Sequence, residues 1–247
     1  MSHISLEAKD VSVSFGGLNV FRNLNFQLHR GEKHAIIGPN GAGKSTFVGI
    51  LTGLVSPKSG DVFLNGESIL EDSPQSRVKR GLVRTFQINT LFMDLNPLES
   101  VMIALTQREG ISGPSFKSTA RQNQLIAEAM AILEQFGLGG SELSRVSELP
   151  YGKQRILEVA LALALKPSVL LLDEPAAGLS TAQGHELFDR LASLPTDTAI
   201  LFIEHDMSLV FRYAERISLL ASGKILASGC PEDIRINPVV REIYLGS

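Results

Sequence analysis

The 247-residue chain has no apolar run approaching the roughly 18 to 20 residues that a membrane-spanning helix needs. Its longest apolar block, Ile156 to Leu165, is interrupted by Glu158 and stopped by Lys166-Pro167, so the chain is expected not to cross a membrane by itself. Met1 to Glu7 lacks a basic segment followed by an apolar stretch, and no secretory signal is expected. A single cysteine, Cys230, excludes an internal disulfide and any multi-cysteine metal site, and reads as a small filler in a turn. There is no Lys/Arg-rich run, and the formal net charge is -3, which disfavours nucleic acid as a partner held by a basic face. Internal repeats, heptads and low-complexity tracts are also missing. What remains is a chain with 44% hydrophobic residues, long enough for one large domain or a core with a subdomain.

Against that background one segment stands out. Gly38-Pro39-Asn40-Gly41-Ala42-Gly43-Lys44-Ser45-Thr46 fits G-x-x-x-x-G-K-[ST]. His34-Ala35-Ile36-Ile37 before it reads as a buried strand, and Phe47-Val48-Gly49-Ile50-Leu51 after it has helical apolar spacing. Glycines in such a loop let backbone N–H groups turn inward around phosphate oxygens, and the following helix N-terminus favours negative charge. Lys44 would reach the terminal phosphates, and the Ser45 hydroxyl would help to hold Mg²⁺.

The first third is β-rich: Ile4 to Phe15 and Val20 to Leu28 as strands around Gly16-Gly17, and Asp61 to Leu64 before Asn65-Gly66, which suits a type I′ hairpin turn. From about Asn89 to Glu148 the pattern is helical, with a helix over 125–136 closed by Gly137 and a Gly/Ser/Pro loop between Glu109 and Thr119. A helix over 153–165, an apolar strand over 168–172, a helix over 181–193 and a strand over 198–203 follow. A hairpin through Ala221 to Lys224 and a short helix begun by Asn237-Pro238 complete the chain. This alternation predicts an α/β fold, with an open, largely parallel sheet covered on both faces and an inserted helical arm.

Asp173-Glu174, at the end of an apolar strand, would place Asp173 on Mg²⁺ and Glu174 beside the γ-phosphate, where a carboxylate can orient and deprotonate water. His205 ends the next strand and would emerge on the same sheet edge, to bond the γ-phosphate or to hold Glu174. Gln87 lies where the sheet gives way to the helical arm, so its amide could couple Mg²⁺ or water to that arm.

The ordered set GPNGAGKST, TFQ, LPYGKQ, LLLDEP, AAGLS and EHD resembles the ATP-binding cassette of ABC transporters over essentially the whole chain. The resemblance implies a P-loop NTPase (RecA-like) core with an N-terminal antiparallel β-subdomain and an inserted α-helical subdomain. Residues 1–88 and 159–230 would form the core, 89–158 the helical subdomain, and 231–247 a helical tail. It implies ATP and Mg²⁺ as cofactors. Phe15 is similar to the residue that stacks on adenine, Gln87 to the Q-loop glutamine, Leu149 to Gln154 (with Tyr151, Gly152 and Lys153 touching nucleotide) to the signature motif, Ala177 to Ser180 to the D-loop, and His205 to the switch histidine. The phosphate-loop residues Gly38, Pro39, Asn40, Gly41, Ala42, Gly43, Lys44, Ser45 and Thr46 would bind nucleotide; Lys44, Gln87, Glu174 and His205 would be catalytic; Ser45, Gln87 and Asp173 would hold the metal.

FGGL, RTFQ, EPAAGL, IEHDM and the tail Ile234-Arg235-Ile236-Asn237-Pro238 with Tyr244-Leu245-Gly246 resemble the ATPase subunits of branched-chain amino acid importers, a branch that also serves urea, amides and aromatic acids. The implied partners are a second ATPase subunit (a copy or a paralogue), transmembrane permeases and, indirectly, a periplasmic solute-binding protein, with the chain on the cytoplasmic face of the membrane. Leu91, Phe92, Met93 and Leu95 belong either to the subdomain core or to a docking groove for a permease helix. Two residues depart from the pattern. Pro150, where a small residue is usual, brings neither a hydroxyl nor an N–H, and Ser180 replaces the usual aspartate or asparagine. An export-type cassette and a soluble, non-transport ABC ATPase are the rival readings; a small-molecule kinase would lack the signature motif and switch histidine.

Overall fold

The computed structural model describes residues 3–85, 91–110, 119–194 and 197–245. They form two compact units, Met1–Arg84 with Ser168–Glu174 and Leu194–Ser247, and Thr85–Pro167 with Pro175–Ser193.

In the first unit, β1 (Ile4–Phe15), β2 (Leu18–His29), β4 (Ser59–Leu64) and β5 (Glu67–Ser68) make an antiparallel sheet in the order β2-β1-β4-β5. Alternation buries Leu6 and Ala8 and then Val11 and Val13 of β1, the phase changing across a register shift at Asp10 (φ 50°). Asn65 and Gly66, both at positive φ (51° and 85°), turn β4 into β5 as the Asn-Gly signal requires. The second sheet contains β3 (Lys33–Ile37), β6 (Leu82–Arg84), β7 (Val169–Asp173), β8 (Ala199–Ile203), β9 (Arg216–Ala221) and β10 (Lys224–Gly229), ordered β10-β9-β3-β8-β7-β6. All neighbours are parallel except the β9–β10 hairpin. β7 and β8 are buried at every residue, which explains their unbroken apolar sequence.

Helix α1 (Lys44–Leu51) follows β3, and one hydrophobic core joins it to both sheets. Phe47 of α1 meets Phe21 and Phe26 of β2 edge-on, at centroid distances of 6.2 and 5.3 Å. The far end of α1 is held by Arg77, which lies on the six-residue helix α2 (Pro74–Lys79) and is 2% exposed. Its guanidinium donates to the carbonyls of Ile50 (2.8 Å), Leu51 (2.7 Å), Leu70 (3.0 Å) and Asp72 (3.2 Å). Gly53 leaves the room, since a Cβ there would lie 2.9 Å from Arg77 Nε. Helices α7 (Met207–Tyr213), α8 (Pro231–Ile236) and α9 (Pro238–Leu245) belong to the same unit.

The second unit is helical: α3 (Pro97–Glu109), α4 (Thr119–Gln135), α5 (Tyr151–Ala164) and α6 (Thr181–Ala192). α4 begins six residues before the expected 125, because its first turn is polar and carries no apolar period. Leu91, 7% exposed, belongs to the core, whereas Phe92 is 64% exposed, so the apolar quartet divides. Glu128 on α4 takes a bidentate pair of hydrogen bonds from Arg108 on α3 (2.9 and 2.8 Å) and an ion pair from Lys166 (3.0 Å). The Arg108 guanidinium foremost, with Lys166, holds the Glu128 carboxyl down at about 2. Because the folded value lies below the unfolded one, this contribution to stability is complete above the unfolded value of about 4.5 and is lost as pH falls through about 2. Thermal melts of Glu128→Gln are therefore expected to show a shallower decline than the parent between those two values; parallel declines would show that the cluster contributes nothing.

Candidate nucleotide site

The carboxyl ends of the parallel strands gather the chemistry. β3 ends at Ile37, and the loop 38–43 turns straight into α1, whose N-cap is Gly43 at φ 98°. Two glycines are dictated by space. A Cβ at Gly38 would lie 2.1 Å from the Leu220 carbonyl oxygen, and one at Gly43 would lie 2.8 Å from Phe21 Cζ and 2.9 Å from Val20 Cγ1. The same contacts seat the loop against β2, on the hairpin whose tip carries Phe15, 53% exposed. The first backbone N–H groups of α1 have no intrahelical acceptor, Gly43 supplies no side-chain cap, and no carboxylate stands in the first turn. That leaves a helix end suited to an anion. Asn40, Gly41 and Ser45 are exposed, and Pro39 lies with them at the rim, while Ala42 and Lys44 are buried and Thr46 is half-buried. Lys44 Nζ donates to the carbonyls of Gly38 (2.6 Å) and Pro39 (3.0 Å), so its ammonium spans the loop. Burial pushes this ammonium down from its ordinary value, while the charges of Glu174 and Asp173 hold it up.

Asp173 ends β7 and is 3% exposed. Its Oδ2 accepts from Arg84 Nη2 at 2.7 Å; Arg84 is the last residue of β6, the strand beside it. Glu174 follows at φ 49°, a left-handed position that a glutamate enters at a cost of about 1–2 kcal/mol. Its N–H donates to the Ile203 carbonyl at 3.0 Å, which fixes the turn to the end of β8. His205 Nε2 lies 2.9 Å from Glu174 Oε1, and against an ionised carboxylate, which only accepts, Nε2 is the donor. Lys44, at the start of α1, and Asp173, Glu174 and His205, at or just beyond the ends of β7 and β8, thus lie along one sheet edge. Gln87 lies outside the described residues.

The donor set fits Mg²⁺. A hydroxyl (Ser45) and a buried carboxylate (Asp173) are hard oxygen ligands, and one or two protein oxygens completed by phosphates and water are what this ion takes. No cluster of three or more His, Cys, Asp or Glu able to cage a metal occurs among the described residues.

In the second unit, Pro150 (φ -53°) caps α5, and its carbonyl accepts from Lys153 N (2.8 Å) and Gln154 N (3.1 Å). A residue with no N–H is tolerated here because that N–H has no helical partner in any case. Tyr151, 45% exposed, donates to the Ala177 carbonyl at 3.2 Å, and Lys153 Nζ reaches Ser141 Oγ at 2.8 Å. Gly152 faces Gln183, whose Nε2 would lie 2.7 Å from a Cβ there. Ser180 has a local duty: it caps α6 in a box with Gln183 (3.3 and 3.0 Å), a task serine performs as well as aspartate.

Three residues were not singled out by sequence reasoning. Arg84 appears there only as a letter of RTFQ, and Arg77 has no sequence signal at all. Tyr244 belongs to the YLG of the tail; its phenol oxygen accepts the Gly38 N–H from 206 residues away.

Residues 21–177 match the ABC transporter family. Over its full length the chain is 40% identical to the high-affinity branched-chain amino acid transport ATP-binding protein LivG of Escherichia coli (strain K12), covering 99% of it. It is 35% identical to BraF of Pseudomonas aeruginosa, described in the same words, again over 100% of this chain and 99% of the relative. Among solved structures, the ADP conformation of an ATP-binding cassette of an ABC transporter superposes with a TM-score of 0.85 at 26% identity over 99% of both chains. A nucleotide-free cassette gives 0.83 at 26% identity, over 99% of this chain and 100% of the other. The fold expectation, a P-loop core with an antiparallel β-subdomain, is thereby met, and the chain belongs to the ABC transporter family as an ATP-binding cassette.

Proposed function

We propose that the chain is the ATP-hydrolysing subunit of an importer for branched-chain or related amino acids, attached peripherally to permease subunits at the cytoplasmic face of the membrane. The observation that carries this reading is the similarity to LivG, at 40% identity over 100% of this chain and 99% of the relative. In this reading the loop 38–46 holds the phosphates of ATP, Phe15 stacks on the base, and Lys44 leaves the Gly38 and Pro39 carbonyls for phosphate oxygens. Ser45 and Asp173 hold Mg²⁺, which when bound offsets phosphate charge, and Gln87 joins them. Glu174 takes the proton of the attacking water, and His205, through its 2.9 Å contact, orients that carboxylate. A second ATPase chain supplies Tyr151, Gly152 and Lys153 of its signature helix to complete the site, and closure of that pair moves the permeases. Phe92, exposed on the helical unit, is the residue best suited to meet a permease helix.

The test is uptake of labelled leucine, isoleucine and valine by cells lacking this chain, with and without a plasmid copy. Loss of uptake restored by the parent but not by Lys44→Ala is expected. Unaltered uptake of all three, with loss of another solute, would reassign the substrate while leaving the ATPase in place.

A further inference from the structure

We propose that Tyr244, near the end of the chain, is a positioning residue of the phosphate loop: its phenol oxygen fixes the first peptide of the loop. The inference rests on the nucleotide-site reading above and adds to it a residue that lies outside every motif of the site.

Gly38 is the point where the β3 ladder stops; Ile37 is the last residue paired with β9. Its N–H therefore needs another acceptor, and that acceptor is Tyr244 Oη. Its carbonyl accepts Lys44 Nζ at 2.6 Å. One residue is thus held on one side by the tail and on the other by the lysine that reaches phosphate. It has no slack, because its α-carbon backs onto the Leu220 carbonyl with no room for a side chain. Removing the phenol oxygen leaves the N–H unsatisfied and takes away one of the contacts that hold the first loop peptide in place. Nucleotide binding must then order a segment that the parent holds ready.

The tail does not depend on this hydrogen bond for its own place. Asn237 caps α9 by accepting from Val239 N (3.0 Å) and Val240 N (3.4 Å), Pro238 opens the helix, and Val240 is buried at 4% exposure. Tyr244 itself is half-buried, and burial pushes its phenol up from the ordinary value, against the Gly38 N–H, so it stays neutral.

Tyr244→Phe and Tyr244→Ala separate the oxygen from the ring. ATP affinity is read with ATP and its N-methylanthraniloyl analogue on the full chain, beside steady-state hydrolysis and melting temperature. Tyr244→Phe is expected to raise Kd and KM for ATP about fivefold, the value of one backbone hydrogen bond, with kcat within about twofold of the parent. Without nucleotide it should melt within about 3 °C of the parent, while the rise in melting temperature given by ATP shrinks. Tyr244→Ala should show the same affinity loss together with a clear drop in melting temperature. Parental Kd and KM in Tyr244→Phe would overturn the proposal and leave packing as the only role of the ring. A Tyr244→Phe chain that, without nucleotide, melts as low as Tyr244→Ala would also count against it, since the oxygen would then hold the fold rather than the loop. Failure of the parent itself to bind ATP would sink the nucleotide reading, and this inference with it.

Discussion

Glutamine in place of Glu174 is expected to lower ATP turnover by about 10²- to 10³-fold while leaving ATP affinity nearly unchanged. The amide matches the carboxylate in size and can keep the 2.9 Å contact to His205, but it cannot accept a proton. The left-handed backbone of residue 174 is carried equally by both side chains, so melting temperature should not move. With chemistry blocked and binding intact, the ATP-bound pair of chains should persist. Phosphate release measures the first effect, and gel filtration with Mg²⁺ and ATP, where a stable dimer is expected, measures the second. Turnover at the parental rate would remove Glu174 from the role of base.

The largest expected loss of stability lies away from the chemistry, at Arg77. Methionine would keep most of the buried stem but remove every donor that meets Ile50, Leu51, Leu70 and Asp72. The Ile50 carbonyl would keep the Gly53 N–H (3.2 Å), but those of Leu51, Leu70 and Asp72 would lose the guanidinium in a site that is 2% exposed, at a cost of about 3 kcal/mol. The guanidinium also meets the last two carbonyls of α1, where a positive charge is favoured by the helix dipole, so the phosphate-loop helix would fray from its far end. Denaturant melts should show the loss directly. Arg77→Lys should recover only part of it, since one ammonium cannot reach four carbonyls in fixed directions. A methionine variant as stable as the parent would mean that water replaces the guanidinium.

What the sequence made legible was mostly what is local. The phosphate loop, the Asn65-Gly66 turn and the alternation of β1 each follow from residues a few positions apart, and the apolar runs of β7 and β8 announce strands buried on both faces. α3 is equally readable, since Asn96-Pro97 with Glu99 forms a capping box and Gly110 closes the helix at φ 63°. α2, with six residues, is too short for a period, although Ser73-Pro74 marks its start. The site was legible where strand ends placed it: Asp173, Glu174 and His205 need only the knowledge that parallel strands present their carboxyl ends together. Arg84 on Asp173, 89 residues apart, and Tyr244 on Gly38 escape any such rule. Side chains that reach backbone or charge across the fold leave no spacing to read.

The ion pair of Arg84 and Asp173 has a consequence for ionic strength. Its side chains are 15% and 2% exposed, whereas those of Arg30–Asp197 are 59% and 74% exposed. Salt shortens the reach of charges that face water, to about 8 Å at physiological concentration, but works far less on a pair shut away from it. Concentrated salt therefore strips the periphery of its electrostatic ties and spares the carboxylate beside the phosphate loop. In brine, the tie between Arg84 and Asp173 should outlast the one between Arg30 and Asp197.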